Sequence, residues 1–317
     1  MYQISQMKIE EIPKAMQIWY TQYKKYCTQD EFPDFWYGGQ QEIESYLLKQ
    51  IEKDNAIVAK KDGAIAGFMA WMYVDFHREK SAFCPTISHA ATDEDKAQIY
   101  HAMYNYASQS WVENERFNHL WMFFHDDSIL KNMLYDAGFG AHVVDACRKT
   151  SEFSLQIDCP YKISKAVPRD ADLLFKLEVE SRRYFLNAPI FLRKDVRTKD
   201  ELINIIEQNI VFIAWDNTVP IGMISLILSK KYNIETLAVI GSGQIKGLGA
   251  YIKTEYRGKG IGTRLLVEVV NYCRDASIPY VHVSFETSNP FGNKFWRKSF
   301  KPIILSGRRT VNKDANS

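Results

Sequence analysis

Apolar and polar positions alternate in the same order twice along the chain. An Asp-Gly turn separates apolar runs at 56–59 and 65–74, and an Asp-Asn turn separates apolar runs at 210–215 and 221–228. Polar turns of this kind between apolar runs predict β-hairpins. The pattern therefore predicts one hairpin in each half of the chain.

Other segments repeat at a similar offset. Residues 2–6 return at 161–165, and residues 134–139 return at 295–300. The offset is about 160 residues, the size of one α/β domain. A repeat of this length in a chain of 317 residues predicts two tandem domains.

We place the predicted boundary between residues 157 and 158, because Pro160 interrupts the strand before it. The predicted domains are thus 1–157 and 158–317. Both should be α/β, since each combines apolar strands with segments of helical periodicity.

Composition narrows the class of protein. With 46% hydrophobic and 25% charged residues the chain has material for a core, and 40 Lys and Arg against 38 Asp and Glu leave a net charge of +2. We expect no nucleic-acid partner, because a basic block is lacking, and no membrane partner, because no apolar run approaches about 18 residues. Five cysteines without a CxxC motif and a start without a signal peptide favour a cytoplasmic protein without a structural metal.

The most informative segment is Arg-Gly-Lys-Gly-Ile-Gly at 257–262. The alternation at residues 248–252 predicts a strand before it, and apolar residues at helical spacing after Thr263 predict a helix behind it. Glycines between a strand and a helix let several backbone N–H groups face one concavity, and the helix start adds partial positive charge. With Arg257 and Lys259, this arrangement predicts a cradle for a diphosphate.

The spacing disfavours two common nucleotide-binding classes. Gly-x-Gly-x-Gly after an arginine differs from the Gly-x-Gly-x-x-Gly of a dinucleotide fold. The Gly-Lys-Ser/Thr of a P-loop is also missing from the segment.

Residues 257–262 resemble the Arg/Gln-x-x-Gly-x-Gly/Ala pyrophosphate loop of the GNAT N-acetyltransferase superfamily. Residues 289–300 are similar to that family's Asn-x-x-Ala-x-x-Phe-Tyr-x-x-x-Gly-Phe segment. The resemblance covers about 160–311, while 1–150 resembles the family only in layout, as in tandem-GNAT proteins. It implies two tandem GNAT-like domains, each a splayed mixed β-sheet flanked by helices.

The resemblance also implies acetyl-CoA as co-substrate, without a metal, and transfer of its acetyl group to a primary amine of a small molecule or peptide by direct attack on the thioester. The residues implied to hold acetyl-CoA are Ala250, Tyr251 and Ile252 at the pantetheine arm, Arg257, Gly258, Lys259, Gly260, Ile261, Gly262 and Thr263 at the pyrophosphate, and Asn289 and Trp296 beside the arm.

The proton donor of the reaction stays open. In this family the acid is often the Tyr of Phe-Tyr, but this chain has Trp296 there, and an indole N–H does not deliver protons near neutral pH. A water, Tyr251 or Tyr256 could serve instead, or the thiolate could leave unprotonated.

Glu286 is the candidate base. The alternation at 280–286 predicts a strand with His282 and Glu286 on one face, and Glu286 at its end. A carboxylate there could bind or deprotonate an ammonium group. We expect His282 to be a packing residue.

The first half has Ala-Thr-Asp-Glu-Asp-Lys at 91–96, where the repeat predicts the cofactor loop. This segment has no glycine, and its acids would repel a diphosphate. We expect Thr92 to cap the following helix and the first half to bind no cofactor.

The alternative function is a non-catalytic CoA-binding sensor or interaction module, suggested by Trp296 and by the degenerate first half. The acceptor and the oligomeric state stay open, a homodimer being one alternative.

Overall fold

The computed structural model describes residues 2–27, 32, 35–151 and 157–316, with the backbone alone at 35–37 and 315–316. The helices are α1 Ile12–Tyr26, α2 Phe35–Ile51, α3 Lys96–Glu113, α4 Ser128–Asp136, α5 Ala171–Leu186, α6 Lys199–Gln208, α7 Ile261–Asp275 and α8 Pro290–Trp296. The strands are β1 Gln3–Gln6, β2 Ala56–Lys61, β3 Ala64–Ala70, β4 Met72–Phe76, β5 Glu79–Cys84, β6 His89–Ala91, β7 Asn118–Phe124, β8 Gly140–Lys149, β9 Lys162–Lys165, β10 Ile210–Asp216, β11 Val219–Leu228, β12 Gly243–Ile252, β13 Tyr280–Glu286 and β14 Lys301–Thr310. In the described ranges, no helix is long and apolar enough to cross a membrane.

The chain forms two compact units. Unit 1 contains Met1–Asp145, Tyr232–Val239 and Pro302–Ser317, and unit 2 contains Ala146–Lys231 and Ile240–Lys301. These units differ from the halves that the repeat predicts, because the end of β8 belongs to unit 2 and nearly all of β14 belongs to unit 1. β14 belongs there because it pairs with β7 along its length, in antiparallel register.

In unit 1, a sheet of order β1-β2-β3-β6 is accompanied by the strands β4-β5-β7-β14. The predicted hairpin of β2 and β3 is confirmed, and its turn residues Asp62 and Gly63 have positive φ angles of 52° and 80°. The predicted cap of α3 is wrong. Its N-cap is Asp95, because the N–H of Thr92 donates to the carbonyl of Ala66 and extends the β6 ladder.

In unit 2, the strands follow the order β9-β10-β11-β12-β13, with the end of β8 beside β13. The predicted hairpin of β10 and β11 is confirmed. Leu174, Leu202 and Met223 belong to the core between α5, α6 and one face of the sheet. Leu265 of α7 lies beside Gly222 on the opposite face. Helices on both faces of mixed strands confirm the predicted α/β fold.

Candidate functional site

The neighbouring strands β12 and β13 of unit 2 part along their length. Their parallel pairing begins at Gly243 and ends at Ile245, opposite Val283. Beyond this point the register of β12 with β11 shifts by a bulge that contains Gly247 and Gly249, with φ angles of 81° and 68°. Backbone groups of both strands therefore line an opening in the sheet.

Side chains of two other elements hold the bulge. The hydroxyl of Ser225 accepts a hydrogen bond from the Leu248 N–H at 2.9 Å and donates to the Lys246 carbonyl. The guanidinium of Arg197 donates to the Gly247 carbonyl at 2.7 Å. The opening is thus fixed by hydrogen bonds from β11 and from the segment before α6.

The bulge changes which residues of β12 face the core. The sequence places Leu248, Ala250 and Ile252 in alternation with their neighbours. The strand is confirmed, but Ala250 is exposed while Leu248 and Tyr251 are buried. Two glycines at positive φ account for the difference, because they interrupt the two-residue period.

The glycine loop curls into the start of α7. Gly258 and Gly260 both have a φ of 78°, and Gly260 is the N-cap. The N–H of Arg264 makes the helix bond to the Gly260 carbonyl at 2.9 Å. The N–H groups of residues 261–263 precede that bond and have no acceptor within the helix, so they are the donors that this helix start offers to an anion.

The loop has the small residues that such a site requires. A Cβ atom added to Gly260 would lie 3.1 Å from the Cγ2 of Ile157, which is tight, whereas one added to Gly262 would make ordinary contact with the ring of Phe295 at 3.4 Å. A side chain at Gly260 would also stand beside the N–H donors. The residues present therefore fit a diphosphate bound by backbone groups.

Two cations accompany these donors. The Arg257 guanidinium lies 4.3 Å from the ring centroid of Tyr184, and Lys259 lies over the ring of Tyr256. Among the described residues, neither cation has a carboxylate partner. Arg264 differs, since it pairs with Glu268 at 2.6 Å. Arg257 and Lys259 are thus the cations available to an anion.

Asn289 lies at the start of α8, three residues beyond β13. Its side-chain oxygen accepts from the Gly292 N–H at 3.1 Å, which caps the helix, and from the Tyr184 hydroxyl at 2.9 Å. These bonds orient the amide and leave its NH2 group for another acceptor. Tyr184 was missed by the sequence analysis, because nothing in α5 marks it apart from ordinary helix residues.

Trp296 packs inside unit 2. Its side chain is 7% exposed, and its ring lies 4.7 Å from that of Phe295 and 5.5 Å from that of Phe300. Trp296 is therefore a packing residue in this structure. Its contact with acetyl-CoA stays a prediction.

Glu286 ends β13, three residues beyond Val283, the last residue of this strand that pairs with β12. Its Oε1 lies 2.7 Å from the Nζ of Lys194, which also lies 3.8 Å from the ring centroid of Phe185. The exposed fractions of the two side chains are 16% for Glu286 and 31% for Lys194. The candidate base is therefore partly buried and already binds an alkylammonium group of the same chain.

A buried carboxylate, that of Glu178, anchors the segment 187–198 through Arg197. Glu178 is fully buried, and its Oε1 accepts from the Arg182 Nε and from the Arg197 Nη1, each at 2.7 Å. Burial raises the pKa of Glu178, and the Arg182 charge partly opposes that effect. The spacing of Glu178 and Arg182 on one helix was visible in the sequence; the approach of Arg197 from the segment 187–198 was not.

Three titratable groups of unit 2, His282, Tyr251 and Tyr256, have pKa values shifted toward the neutral form. Burial lowers the pKa of His282 to about 4, so its ring is uncharged at neutral pH. The hydroxyl of Tyr256 donates to Asp216 at 2.8 Å, and this bond raises its pKa. Burial raises the pKa of Tyr251. The described residues contain no cluster of His, Cys, Asp or Glu that could hold a metal ion.

Comparison with known proteins identifies the unit that carries this site. The family model described as "Acetyltransferase (GNAT) family" matches residues 175–300. Those residues are a GNAT domain. The match contains the opening, the glycine loop and both Asn289 and Glu286. Members of this family are in general N-acetyltransferases. The chain matches no curated protein sequence.

The fold of the whole chain is also that of solved GNAT proteins. It is similar to a GCN5-related N-acetyltransferase from Sphaerobacter thermophilus at 12% identity and a TM-score of 0.59, covering 98% of this chain and 95% of that one. It is also similar to a GCN5-related glucosamine N-acetyltransferase region in a fungal multi-domain GH3 β-N-acetylglucosaminidase, at 13% identity and a TM-score of 0.55, covering 98% of this chain and 38% of that one. These likenesses concern the fold alone.

Proposed function

We propose that the chain is an acetyl-CoA-dependent N-acetyltransferase that acetylates a primary amine of a small molecule or peptide. The observation that carries the proposal is the joint presence of unpaired N–H groups at the start of α7 and an opening between β12 and β13. Acetyl-CoA, when bound, supplies a thioester carbonyl that an amine can attack.

The residues that would hold it differ in their roles. The N–H groups of 258–263, with Arg257 and Lys259, would bind the pyrophosphate. The backbone at Ala250–Ile252 and the NH2 group of Asn289 would hydrogen-bond the pantetheine arm. A backbone N–H of β12 directed at the thioester oxygen would stabilise the negative charge that develops there.

Proton transfer then falls to two groups. Glu286 would take a proton from the acceptor ammonium, and its pairing with Lys194 supports affinity for such a group. Tyr251 is our candidate for protonating the leaving thiolate, because its hydroxyl stays protonated near neutral pH, while that of Tyr256 is engaged by Asp216.

Calorimetric titration with CoA, followed by thiol release from acetyl-CoA over a panel of primary amines, tests the proposal. We expect binding, and release with at least one amine accompanied by the acetylated amine. A folded chain that does not bind CoA would contradict the proposal.

A second candidate is a non-catalytic CoA-binding module. Two observations favour it: the ion pair at Glu286 and the buried Trp296 in the position of the family's tyrosine. Binding of CoA without an acetylated product from any amine would select this function.

A further inference from the structure

The proposed base, Glu286, pairs with a primary amine of the same chain, the ammonium of Lys194. We propose that the protein acetylates the Nζ of its own Lys194. This inference rests on the proposed function, and it names a modification site in the segment 187–198 that joins α5 to α6.

This segment contacts both parted strands. Lys194 pairs with Glu286 at the end of β13, and three residues later Arg197 donates to the Gly247 carbonyl in the bulge of β12. The segment thus bridges the opening at the level where the pairing of β12 with β13 has ended. The family resemblance implies contacts of Ala250, Tyr251 and Ile252, which follow this bulge on β12, with the pantetheine arm of acetyl-CoA.

The segment is anchored rather than loosely attached. Arg197 is held by the fully buried Glu178 as well as by Gly247, at 2.7 Å in both cases. Lys194 is held by the Glu286 carboxylate and by the face of Phe185. Fixing an amine beside its base raises its effective concentration, which is how intramolecular reactions gain rate.

A second lysine provides a matched control. Lys199 at the start of α6 pairs with Asp172 at 2.6 Å, but its side chain is 57% exposed and the pair lies on the surface. Unassisted acetylation of lysines in solution favours the more exposed amine. Modification of Lys194 in preference to Lys199 therefore requires a position-specific reaction.

The reaction balances without a further reactant. The Lys194 ammonium gives a proton to Glu286, and the nitrogen lone pair forms a bond to the acetyl carbon. The carbon–sulfur bond breaks, and its electron pair leaves on sulfur. The nitrogen loses a second proton, one proton ends on sulfur and the other passes to solvent. The products are Nε-acetyl-lysine 194 and CoA.

The test uses the full chain incubated with trideuteroacetyl-CoA, followed by peptide mass spectrometry. We expect the label at Lys194 to exceed that at Lys199 by roughly tenfold or more. Gly260→Asp and Glu286→Gln should each remove the excess at Lys194 without lowering the label at Lys199. Circular dichroism should verify that both variants fold.

A second measurement needs no acetyl-CoA. Reductive methylation of the unliganded chain should modify Lys194 roughly tenfold more slowly than Lys199, because ion pairing and partial burial shield its amine, and Glu286→Gln should speed it. Equal rates in the wild-type chain would contradict the described environment of Lys194 and overturn the proposal.

Failure of the Lys194 inference can be told apart from failure of the proposed function. A chain that binds CoA and acetylates an added amine, yet labels Lys194 no more than Lys199, would overturn this inference and leave the proposed function intact. A chain that binds no CoA would overturn both. Equal labelling of Lys194 in the wild-type and Gly260→Asp chains would show solution chemistry alone, and would also overturn the inference.

Discussion

Both units contain a pair of parallel strands that part, and the described residues beside the two openings differ in their chemistry. In unit 1, β5 and β7 pair from Ser81 to Cys84, after which the chain makes a 3-10 turn and β6 joins β3 instead. In unit 2 the pairing of β12 with β13 likewise ends, at the bulge of β12. The two openings arise from the same topology and differ in what fills them.

Unit 1 fills its opening with its own polar groups. The ring of His89 on β6 bonds to the Met122 carbonyl of β7 at 2.8 Å and to the Tyr100 hydroxyl at 3.0 Å. The ammonium of Lys96, the first residue of α3, is fully buried and lies 2.5 Å from Asp127. These contacts satisfy groups that an outside ligand would otherwise bind.

Two pairs of positions at the ends of β7 and β13 can be compared directly. Asp127 caps α4 three residues after β7, as Asn289 caps α8 three residues after β13. Phe124 ends β7 where Glu286 ends β13. An ion pair and an aromatic ring thus stand in unit 1 where unit 2 has Asn289 and Glu286. That unit 1 binds no cofactor stays a prediction.

The largest expected effect is a loss of stability, and it tests the buried ion pair of Lys96 with Asp127 in unit 1. Asp127→Ala leaves the Lys96 ammonium buried without its carboxylate, which should lower the free energy of unfolding by about 3–5 kcal/mol. The matched change Asn289→Ala removes the cap of α8 and the hydrogen bond from the Tyr184 hydroxyl. It should lower the free energy of unfolding by about 1–2 kcal/mol. Urea denaturation measures both. An equal or greater loss in Asn289→Ala would contradict the comparison.

A smaller effect tests the base that unit 1 lacks. Glu286→Gln preserves the shape of the side chain but cannot accept the proton, so turnover on an added amine should fall about a hundredfold. CoA affinity should stay within about twofold, because the residue lies outside the glycine loop. Steady-state kinetics and calorimetry separate the two quantities. Unchanged turnover would refute the role of Glu286.

The smallest effect concerns pH. Burial lowers the pKa of His89 and His119 in unit 1 and of His282 in unit 2 to about 4 in each case. In the unfolded chain a histidine has a pKa of about 6.5. The free energy of unfolding that comes from keeping these rings neutral is therefore fully present above that pH and is lost as the pH falls toward 4.

Lowering the pH from 7.5 to 5.5 should therefore reduce the free energy of unfolding by about 1.4 kcal/mol for each of these histidines. Unit 1, with two of them, should lose about twice as much stability as unit 2. Amide hydrogen exchange, followed in β7 and in β11, measures the two losses separately. A larger loss in unit 2 would be the contrary result.

The sequence predicted what local patterns encode. Alternating apolar runs located both hairpins, and the three glycines located the loop and the start of α7. The bulge of β12 depends on Ser225 and Arg197, which approach from distant parts of the chain. The pairing of Lys194 with Glu286 likewise joins residues that no local period relates. The pairing of β14 with β7 was also hidden, since β14 carries an ordinary strand pattern whichever strand it joins.

The most direct test is a calorimetric titration of the full chain with CoA, with Gly260→Asp as the comparison. Gly260 has a φ of 78°, which strains any other residue, although Asp95 caps α3 at a φ of 53°. Circular dichroism of the variant is therefore the control for folding. The carboxylate of the variant would face the N–H donors and repel the pyrophosphate. We expect one CoA per wild-type chain and an affinity at least about a hundredfold weaker in the variant. Two CoA molecules per chain, or unchanged affinity in Gly260→Asp, would contradict the account.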